Sequence, residues 1–428
     1  MPSIAIVGGG IAGLAAAAKL TQQGQSVTLF EAAPSLGGRA RGMDFNGLRL
    51  DNGQHILLGA YRETLSLLKI VGVTESKVLM RLPLSLQVKD LTGDLNFSLK
   101  TNPLLPAPLH ILYGLLTTQG ISIKEKLSAI RCMMWMRLNR FTLKHDQSVA
   151  TFLTTHRQSA VLIKCLWEPL CLAALNTPLS QASAQVFLCV LRDSFAQQQH
   201  DADLIFAKTD LSTLMSHPIA DYLQQNGSKV VANCAINNII ATDTGYELQT
   251  KKQAYVFKTV ILACGPHQLK NFTETLPKLS RLTEHFSYRP ITTVYLQYKH
   301  HISLPEPMIG MVNSLSQWIF DRGQICDQKG LIAVIISAHM PFKQTQDALA
   351  AQIADELKQL FPQLIQPIWY KVITEKRATF SCDVALARPT NITAYPNLLI
   401  AGDYTAGDYP ATIEGAIRSG IKAASFID

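Results

Sequence analysis

Charged residues and long hydrophobic runs are both scarce in this sequence. Asp, Glu, Lys and Arg make up 16% of the 428 residues, and hydrophobic residues make up 47%. No uninterrupted apolar run approaches the roughly 20 residues that a membrane-spanning helix requires; the longest, such as residues 331–338, have the length of a strand. Because residues 3–7 have the pattern of a core strand, we expect no cleavable signal peptide. The sequence therefore predicts a cytoplasmic protein without a transmembrane helix.

Paired cysteine motifs and clustered histidines are also lacking. The eight cysteines form no Cys-x-x-Cys pair, which is typical of reduced thiols in a cytosolic protein. The eleven histidines form no ligand cluster, so we expect no metal. A net charge of +8 suits anionic lipid surfaces or phosphorylated ligands. Because no Lys/Arg run is interleaved with aromatic residues, we expect no nucleic-acid binding.

What the sequence does contain is a glycine-rich turn close to its N-terminus. A strand is predicted over residues 3–7 and a helix over 12–23, and the pattern Gly8-x-Gly10-x-x-Gly13 joins them. Such glycines permit a tight turn, a close approach of the backbone to a pyrophosphate, and close packing of helix on strand. Ile11 and Ala12 begin the helix, whose free N–H groups would face the phosphates. The pattern predicts dinucleotide binding; a plain tight turn is the alternative.

Two charged residues extend this interpretation. Glu31 ends the second predicted strand, 18 residues after Gly13, where an acidic residue bonds the hydroxyls of a ribose. Arg39 follows Gly37 and Gly38, so that its side chain can reach the same pyrophosphate while the backbone stays close. The alternative for Arg39 is an exposed loop with an incidental cation.

A second strand, turn and helix lie near the C-terminus. The predicted strand 397–401 ends at Gly402-Asp403, and Thr412 and Ile413 open the last helix. Asp403 can bond a ribityl chain or pyrophosphate, or it can cap a turn. N–H groups at the start of the last helix would face the N1/O2 edge of a flavin. With Ile236 and Gly265 as further contacts, the two ends of the chain together predict FAD as the cofactor.

The order of these patterns predicts an α/β fold with two discontinuous domains. Residues 1–80, 221–288 and 386–428 are predicted to form an FAD-binding Rossmann domain. Residues 81–220 and 289–385 are predicted to form an α+β substrate domain. Predicted elements outside the N-terminal segment include a helix over 61–71, a hairpin over 86–98, strands over 230–231, 236–240, 246–248, 256–263, 292–298 and 331–337, and a helix over 348–360.

These motifs resemble the flavin amine oxidase and phytoene desaturase superfamily, whose fold is similar to that of glutathione reductase. A narrower resemblance, carried by residues 51–61, 166–177, 184–187 and 408–420, is to the squalene-associated FAD-dependent desaturases of bacterial hopanoid clusters. The activity of that family implies an isoprenoid lipid substrate, hydroxysqualene, which reduced FAD converts to squalene and water. Since the sequence has one dinucleotide fingerprint, we expect an external electron donor, which the sequence does not identify.

The implied reaction needs a proton donor, because the hydroxyl oxygen must leave as water. His55 and Glu168 are candidates, with Asp193 behind them, although a lone histidine is equally often a structural hydrogen-bonder. Aromatic residues that could line a substrate tunnel, or simply pack in the core, are Trp167, Phe187 and Phe195.

The sequence leaves two alternative functions and one membrane contact open. The chain could be an oxidative polyene desaturase or an amine oxidase, with Tyr404 and Tyr409 as an aromatic cage. It could also be a non-catalytic FAD-binding scaffold. Residues 103–141 could contact the inner face of the cytoplasmic membrane peripherally, through residues such as Trp135 and Met136, or could form a core helix with snorkelling arginines.

Overall fold

The computed structural model describes residues 4–340 and 342–427, and these contain twenty strands and fourteen α-helices. The strands are β1 (Ile4–Val7), β2 (Val27–Phe30), β3 (Gly42–Phe45), β4 (Leu48–Asp51), β5 (Leu57–Leu58), β6 (Leu79–Leu82), β7 (Ser85–Asp90), β8 (Asn96–Lys100), β9 (Leu204–Ala207), β10 (Lys229–Val231), β11 (Asn238–Thr242), β12 (Gly245–Gln249), β13 (Ala254–Phe257), β14 (Thr259–Leu262), β15 (Tyr288–Gln297), β16 (Met308–Val312), β17 (Trp318–Asp321), β18 (Leu331–Ser337), β19 (Trp369–Phe380) and β20 (Leu398–Ile400). The helices are α1 (Ile11–Gln22), α2 (Arg62–Ile70), α3 (Glu75–Val78), α4 (Leu109–Thr117), α5 (Ile123–Leu138), α6 (Val149–Thr155), α7 (Ala160–Leu162), α8 (Glu168–Leu175), α9 (Ala184–Phe195), α10 (His217–Gln225), α11 (Pro277–Ser280), α12 (Arg322–Cys326), α13 (Gln346–Leu360) and α14 (Ile413–Ala424).

A parallel five-stranded sheet, in the order β10-β2-β1-β14-β20, forms the centre of the fold. Every residue of β1, β2 and β20 is buried, which explains why these segments are short unbroken apolar runs. Helices α1 and α14 pack against each other. Their small residues permit a close approach, since a Cβ added at Gly420 would lie 2.2 Å from the carbonyl oxygen of Ala12. The two ends of the described chain therefore meet at this sheet.

A larger sheet carries further strands that shape the site. Its order is β19-β15-β18-β17-β16-β7-β8, and β16 and β7 form its one parallel pair. The predicted hairpin over 86–98 is confirmed as β7 and β8, which lie at one edge of this sheet. β19 pairs with β15 along nearly its whole length, so that Glu375 lies opposite Ile291.

Most predicted elements match the structure, with one clear error. The α/β class and the strands at both ends are confirmed, although Ser3 of the predicted first strand lies outside the described residues. The single strand predicted over 256–263 is wrong. Residues 256–257 belong to β13, in the antiparallel sheet β11-β12-β13, and residues 259–262 form β14 of the parallel sheet. The change from alternating exposure in β13 to continuous burial in β14 marks the change of sheet.

Within residues 4–340 and 342–427, no helix is long and apolar enough to cross a bilayer.

Candidate active site

A cavity of about 1280 Å³ lies where the strands of the parallel sheet end. Ligands of such sheets bind outside the carboxyl ends of the strands. Gly13 does not line the cavity, whereas the thirteen other residues predicted to contact the cofactor do: Gly8, Gly10, Ile11, Ala12, Glu31, Gly38, Arg39, Ile236, Gly265, Gly402, Asp403, Thr412 and Ile413. One cavity thus brings together residues from both ends and the middle of the chain.

The turn between β1 and α1 has the geometry of a phosphate cradle. Gly8 has φ +114°, and a Cβ added there would lie 2.6 Å from the carbonyl oxygen of Ala263. A Cβ at Gly13 would lie 2.0 Å from the carbonyl oxygen of Gly8, so this residue packs the helix onto the turn. At Gly10, in contrast, a Cβ would meet nothing within 4 Å. Gly10 therefore leaves open space at the N-terminus of α1, where N–H groups favour an anion.

Glu31 is held rigidly at the end of β2. Its Oε2 accepts a hydrogen bond from the backbone N–H of Gly9 at 2.7 Å, and its Oε1 accepts one from Ala33 at 2.8 Å. Each carboxylate oxygen has a second lone pair. The side chain can therefore accept hydrogen bonds from two ribose hydroxyls without giving up its own support.

Arg39 links the N-terminal and C-terminal parts of the site. Its Nη2 donates to Oδ2 of the buried Asp403 at 2.6 Å, and its Nη1 donates to the carbonyl oxygen of Ala378 at 2.7 Å. Asp403 is thereby ion-paired within the protein. Three of the five N–H groups of the guanidinium remain for a phosphate after these contacts.

The start of α14 lies at the other end of the cavity. The Thr412 hydroxyl caps this helix by accepting from the backbone N–H of Gly415 at 3.0 Å. Glu414 points away from the cavity and is fully buried. Its carboxylate accepts from the backbone N–H groups of Glu63 and Thr64 at the start of α2, and it pairs with Arg418 at 2.8 Å. Glu414, in the first turn of α14, therefore caps α2 and not its own helix.

The cavity has an unpaired polar group and open space that a dinucleotide cofactor would fill. The hydroxyl of Tyr404, which lines it, is buried and has no hydrogen-bond partner among the described residues. The cradle at Gly10 is likewise open. A ligand with phosphates at α1, a ribose at Glu31 and a polar ring near Thr412 would use these groups, which fits FAD.

A second cavity, of about 290 Å³, adjoins the first. Arg39, His55, Glu375, Ala378 and residues 411–413 line both. The remaining walls are mostly apolar, and their aromatic members are Tyr61, Phe187, Phe195, Trp318, Phe320 and Tyr409. An apolar substrate would therefore meet the cofactor where the two cavities join.

His55 is the one predicted proton donor that lines the cavities. Its Nδ1 lies 2.7 Å from the carbonyl oxygen of Gly53, so Nδ1 carries the proton and Nε2 a lone pair. Burial lowers the pKa of the imidazole, which keeps it neutral at neutral pH. In this state His55 accepts protons more readily than it donates them.

The other two predicted donors lie away from the junction of the cavities. Asp193 is screened by Tyr409, whose hydroxyl donates to its Oδ2 at 2.9 Å, and its Oδ1 pairs with Arg192 at 2.7 Å. Glu168 lines neither cavity, although burial raises its pKa. Of the predicted tunnel residues, Phe187 and Phe195 line the second cavity, whereas Trp167 packs elsewhere and donates to Gln158.

One carboxylate at the junction was not predicted from the sequence. Glu375 lines both cavities, and its Oε2 accepts from Nδ2 of Asn52 at 3.3 Å. No sequence motif surrounds Glu375, because only the pairing of β19 with β15 brings it here.

The two tyrosines predicted as an aromatic cage do not lie in the same cavity. Tyr404 lines the first cavity and Tyr409 the second.

Residues 104–138 present an apolar surface, which we call the 104–138 surface. Its exposed apolar side chains are Leu104, Leu109, Leu112, Leu116, Ile123, Leu127, Met134 and Leu138. Exposed Lys124, Arg131 and Arg137 lie among them. Two residues of the predicted membrane-contacting segment do not belong to this surface: Met136 is fully buried, and Trp135 packs on Phe152 and His156 with ring centroids 5.6 and 4.2 Å apart.

Comparison with known proteins agrees with this geometry. The family model described as flavin containing amine oxidoreductase matches residues 11–427. A hydroxysqualene dehydroxylase of Zymomonas mobilis is 26% identical, over 98% of this chain and 97% of that protein. One of Rhodopseudomonas palustris is 27% identical, over 99% and 98%. A zeta-carotene desaturase of Synechocystis sp. is 24% identical, over 99% and 96%.

Solved structures show the same fold. Putrescine oxidase bound to putrescine superimposes with a TM-score of 0.72 at 17% identity, covering 100% of this chain and 98% of that one. Cyclohexylamine oxidase of Brevibacterium oxydans gives 0.72 at 16% identity, covering 99% and 98%. At such identities these likenesses concern the fold alone.

Proposed function

The chain belongs to the family of flavin containing amine oxidoreductases and is an FAD-dependent oxidoreductase, and we propose that it reduces hydroxysqualene to squalene with loss of water. The observation that carries this proposal is the likeness to proteins named hydroxysqualene dehydroxylase, which extends over at least 98% of the chain. The apolar, aromatic second cavity supports an isoprenoid lipid as the substrate.

The residues of the site suit this reaction. Bound FAD, once reduced, supplies the two electrons and the hydrogen that replace the hydroxyl group on carbon. Glu31, Arg39 and the N-terminus of α1, which line the first cavity, would hold its ribose and phosphates. The aromatic walls of the second cavity exclude water from the carbocation left when the hydroxyl departs, and their ring faces stabilise positive charge.

An oxidative polyene desaturase is the second candidate function. The likeness to zeta-carotene desaturases, at 24% identity over 99% of the chain, favours it specifically. The same apolar cavity would accept a polyene. The two functions differ in direction, because one consumes reduced cofactor and the other consumes oxidised cofactor.

The test is an anaerobic single-turnover measurement in both directions. Dithionite-reduced enzyme mixed with hydroxysqualene should form squalene while the flavin absorbance near its oxidised maximum returns in step. Oxidised enzyme mixed with squalene, a polyene or an amine should show no flavin reduction. Reduced enzyme that leaves hydroxysqualene unchanged, together with oxidised enzyme that desaturates the polyene, would give the assignment to the second candidate.

We propose further that the protein docks peripherally on the inner face of the cytoplasmic membrane through the 104–138 surface. Its apolar side chains and interspersed cations suit an anionic lipid surface. The adjoining segment also contacts the wall of the second cavity. Thr101 donates to the carbonyl oxygen of Leu84, which lines that cavity, and Gln199 donates to that of Pro103. A lipid substrate could then pass from bilayer to cavity over a short path.

A further inference from the structure

We infer that Glu375 is the catalytic acid of this site and protonates the departing hydroxyl group of the substrate. The inference rests on the proposed dehydroxylation and names the residue that its proton comes from. Glu375 is the one carboxylate among the described residues that line the second cavity, and it lines the cofactor cavity as well.

The backbone fixes Glu375 at the junction of the two cavities. β19 pairs with β15, and Glu375 lies opposite Ile291, which lines the second cavity. Sites built on paired strands are positioned more accurately than sites on loops. Asn52, from the turn that also carries His55, contacts the carboxylate from the other side.

The surroundings of the carboxyl group leave it free to act. Oε2 accepts from Nδ2 of Asn52 and Oε1 accepts from the backbone N–H of Arg377, both at 3.3 Å. These are long contacts for N–H···O hydrogen bonds. No ion pair joins Glu375 to a cation within residues 4–340 and 342–427. Neutral hydrogen-bond donors therefore orient the group, and no lysine or arginine neutralises it.

The protons of the other polar groups nearby are already engaged in hydrogen bonds. Burial lowers the pKa of His55, and its one N–H group at neutral pH is bonded to a carbonyl oxygen. Burial and the adjacent Asp193 raise the pKa of Tyr409 far above its usual value, and its hydroxyl proton is already donated to that carboxylate. Asp193 itself lies behind Tyr409.

Protonation, loss of water and reduction together conserve atoms and electrons. The carboxyl proton of Glu375 joins the hydroxyl oxygen as the carbon–oxygen bond breaks, and water leaves. The carbocation takes two electrons and one hydrogen from the reduced cofactor, whose remaining proton restores the carboxyl group. In sum, R–OH and reduced FAD give R–H, water and oxidised FAD.

Glu375→Gln tests the inference, with Glu247→Gln as a matched control. Glu247 lies on β12 and lines neither cavity. The substrates are hydroxysqualene and its acetate ester, in which acetate can depart without prior protonation. Loss of a general acid typically costs about 10²- to 10⁴-fold in rate. With hydroxysqualene we expect Glu375→Gln to lose at least about 100-fold in single-turnover rate, and with the ester to remain within about fivefold of wild type.

A binding measurement separates acid catalysis from a change in the cavity. Trp318 lines the second cavity, so hydroxysqualene should quench tryptophan fluorescence in the oxidised enzyme, with the same Kd in wild type and Glu375→Gln. The inference is overturned if the variant reduces hydroxysqualene within tenfold of the wild-type rate, or if alcohol and ester lose rate together. A wild-type enzyme that fails to reduce hydroxysqualene would instead overturn the proposed function.

Discussion

Two glycines of the N-terminal turn differ in what an added methyl group would meet. At Gly13 the methyl would press on the carbonyl oxygen of Gly8, whereas at Gly10 it would enter the cofactor cavity. Gly10 has φ −72° and ψ 175°, which alanine adopts readily. We therefore expect Gly13→Ala to destabilise the FAD-free protein by about 1–3 kcal/mol. Gly10→Ala should leave that stability unchanged and weaken FAD binding.

Urea unfolding of FAD-free protein and FAD titration by flavin fluorescence would measure the two effects separately. Each variant serves as the control of the other, because both add one methyl group within the same turn. Equal loss of stability in both variants would contradict the described geometry.

Among single residues, the sequence predicts those cofactor contacts that belong to a local motif. The glycines, Glu31 and Arg39 lie close together in the chain, and their positions follow from one strand, one turn and one helix. Glu375 could not be found in this way, since its place depends on pairing between strands about 80 residues apart. Glu168 is a candidate only because the implied reaction needs a proton donor, and the structure places it outside both cavities.

Among the elements, α2 depends on α14 for its N-terminal cap. The fully buried carboxylate of Glu414 accepts from two N–H groups of α2 and pairs with Arg418. In Glu414→Gln an amide NH₂ would face N–H groups or the guanidinium, and the charge pair would be lost. Leaving a buried N–H group without its acceptor typically costs about 1–3 kcal/mol, so we expect a loss of about 3 kcal/mol.

Thermal and urea unfolding of Glu414→Gln would measure this loss. The exposed Glu284 provides the control, and Glu284→Gln should change the free energy of unfolding by less than about 0.5 kcal/mol. A Glu414→Gln protein as stable as the control would mean that this carboxylate is not needed to cap α2.

Element boundaries were predicted well where the hydrophobic pattern is strong and poorly where two elements follow without a break. β13 and β14 are separated by Lys258 alone, so composition gave no sign that the chain changes sheet there. In α5 the apolar residues lie on all sides. The sequence therefore could not distinguish Met136, which is buried, from Leu138, which is 80% exposed.

For the whole molecule, the 104–138 surface leads to a prediction about lipid binding. Leu104, Ile123 and Leu138 are 88%, 75% and 80% exposed. Replacing all three with serine should lower cosedimentation with phosphatidylglycerol vesicles at least about tenfold, because each large apolar side chain contributes about 1.5–3 kcal/mol when buried. FAD content should not change, since none of the three lines the cofactor cavity.

A matched triple variant elsewhere on the surface is the control. Met340, Ile365 and Ile368 are 78%, 70% and 65% exposed, and none belongs to the 104–138 surface. Their replacement with serine should leave vesicle binding intact. Equal loss in both triple variants would indicate general hydrophobic adsorption and exclude docking by this surface.

The meeting of the two chain ends at the parallel sheet has a consequence during protein synthesis. β1 emerges first, but β14 beside it is completed only at residue 262 and β20 at residue 400. At about 5–20 residues per second, β1 and the glycine turn wait roughly 10–50 seconds for β14, and β14 waits roughly 7–30 seconds more for β20. Until β14 is made, a nascent chain exposes one edge of β1, Ile4–Val7, to chaperones and to other nascent chains, and from then until β20 is made it exposes the outer edge of β14. A premature stop codon between residues 262 and 398 would release a polypeptide in which the outer edge of β14 has no β20 to complete the sheet.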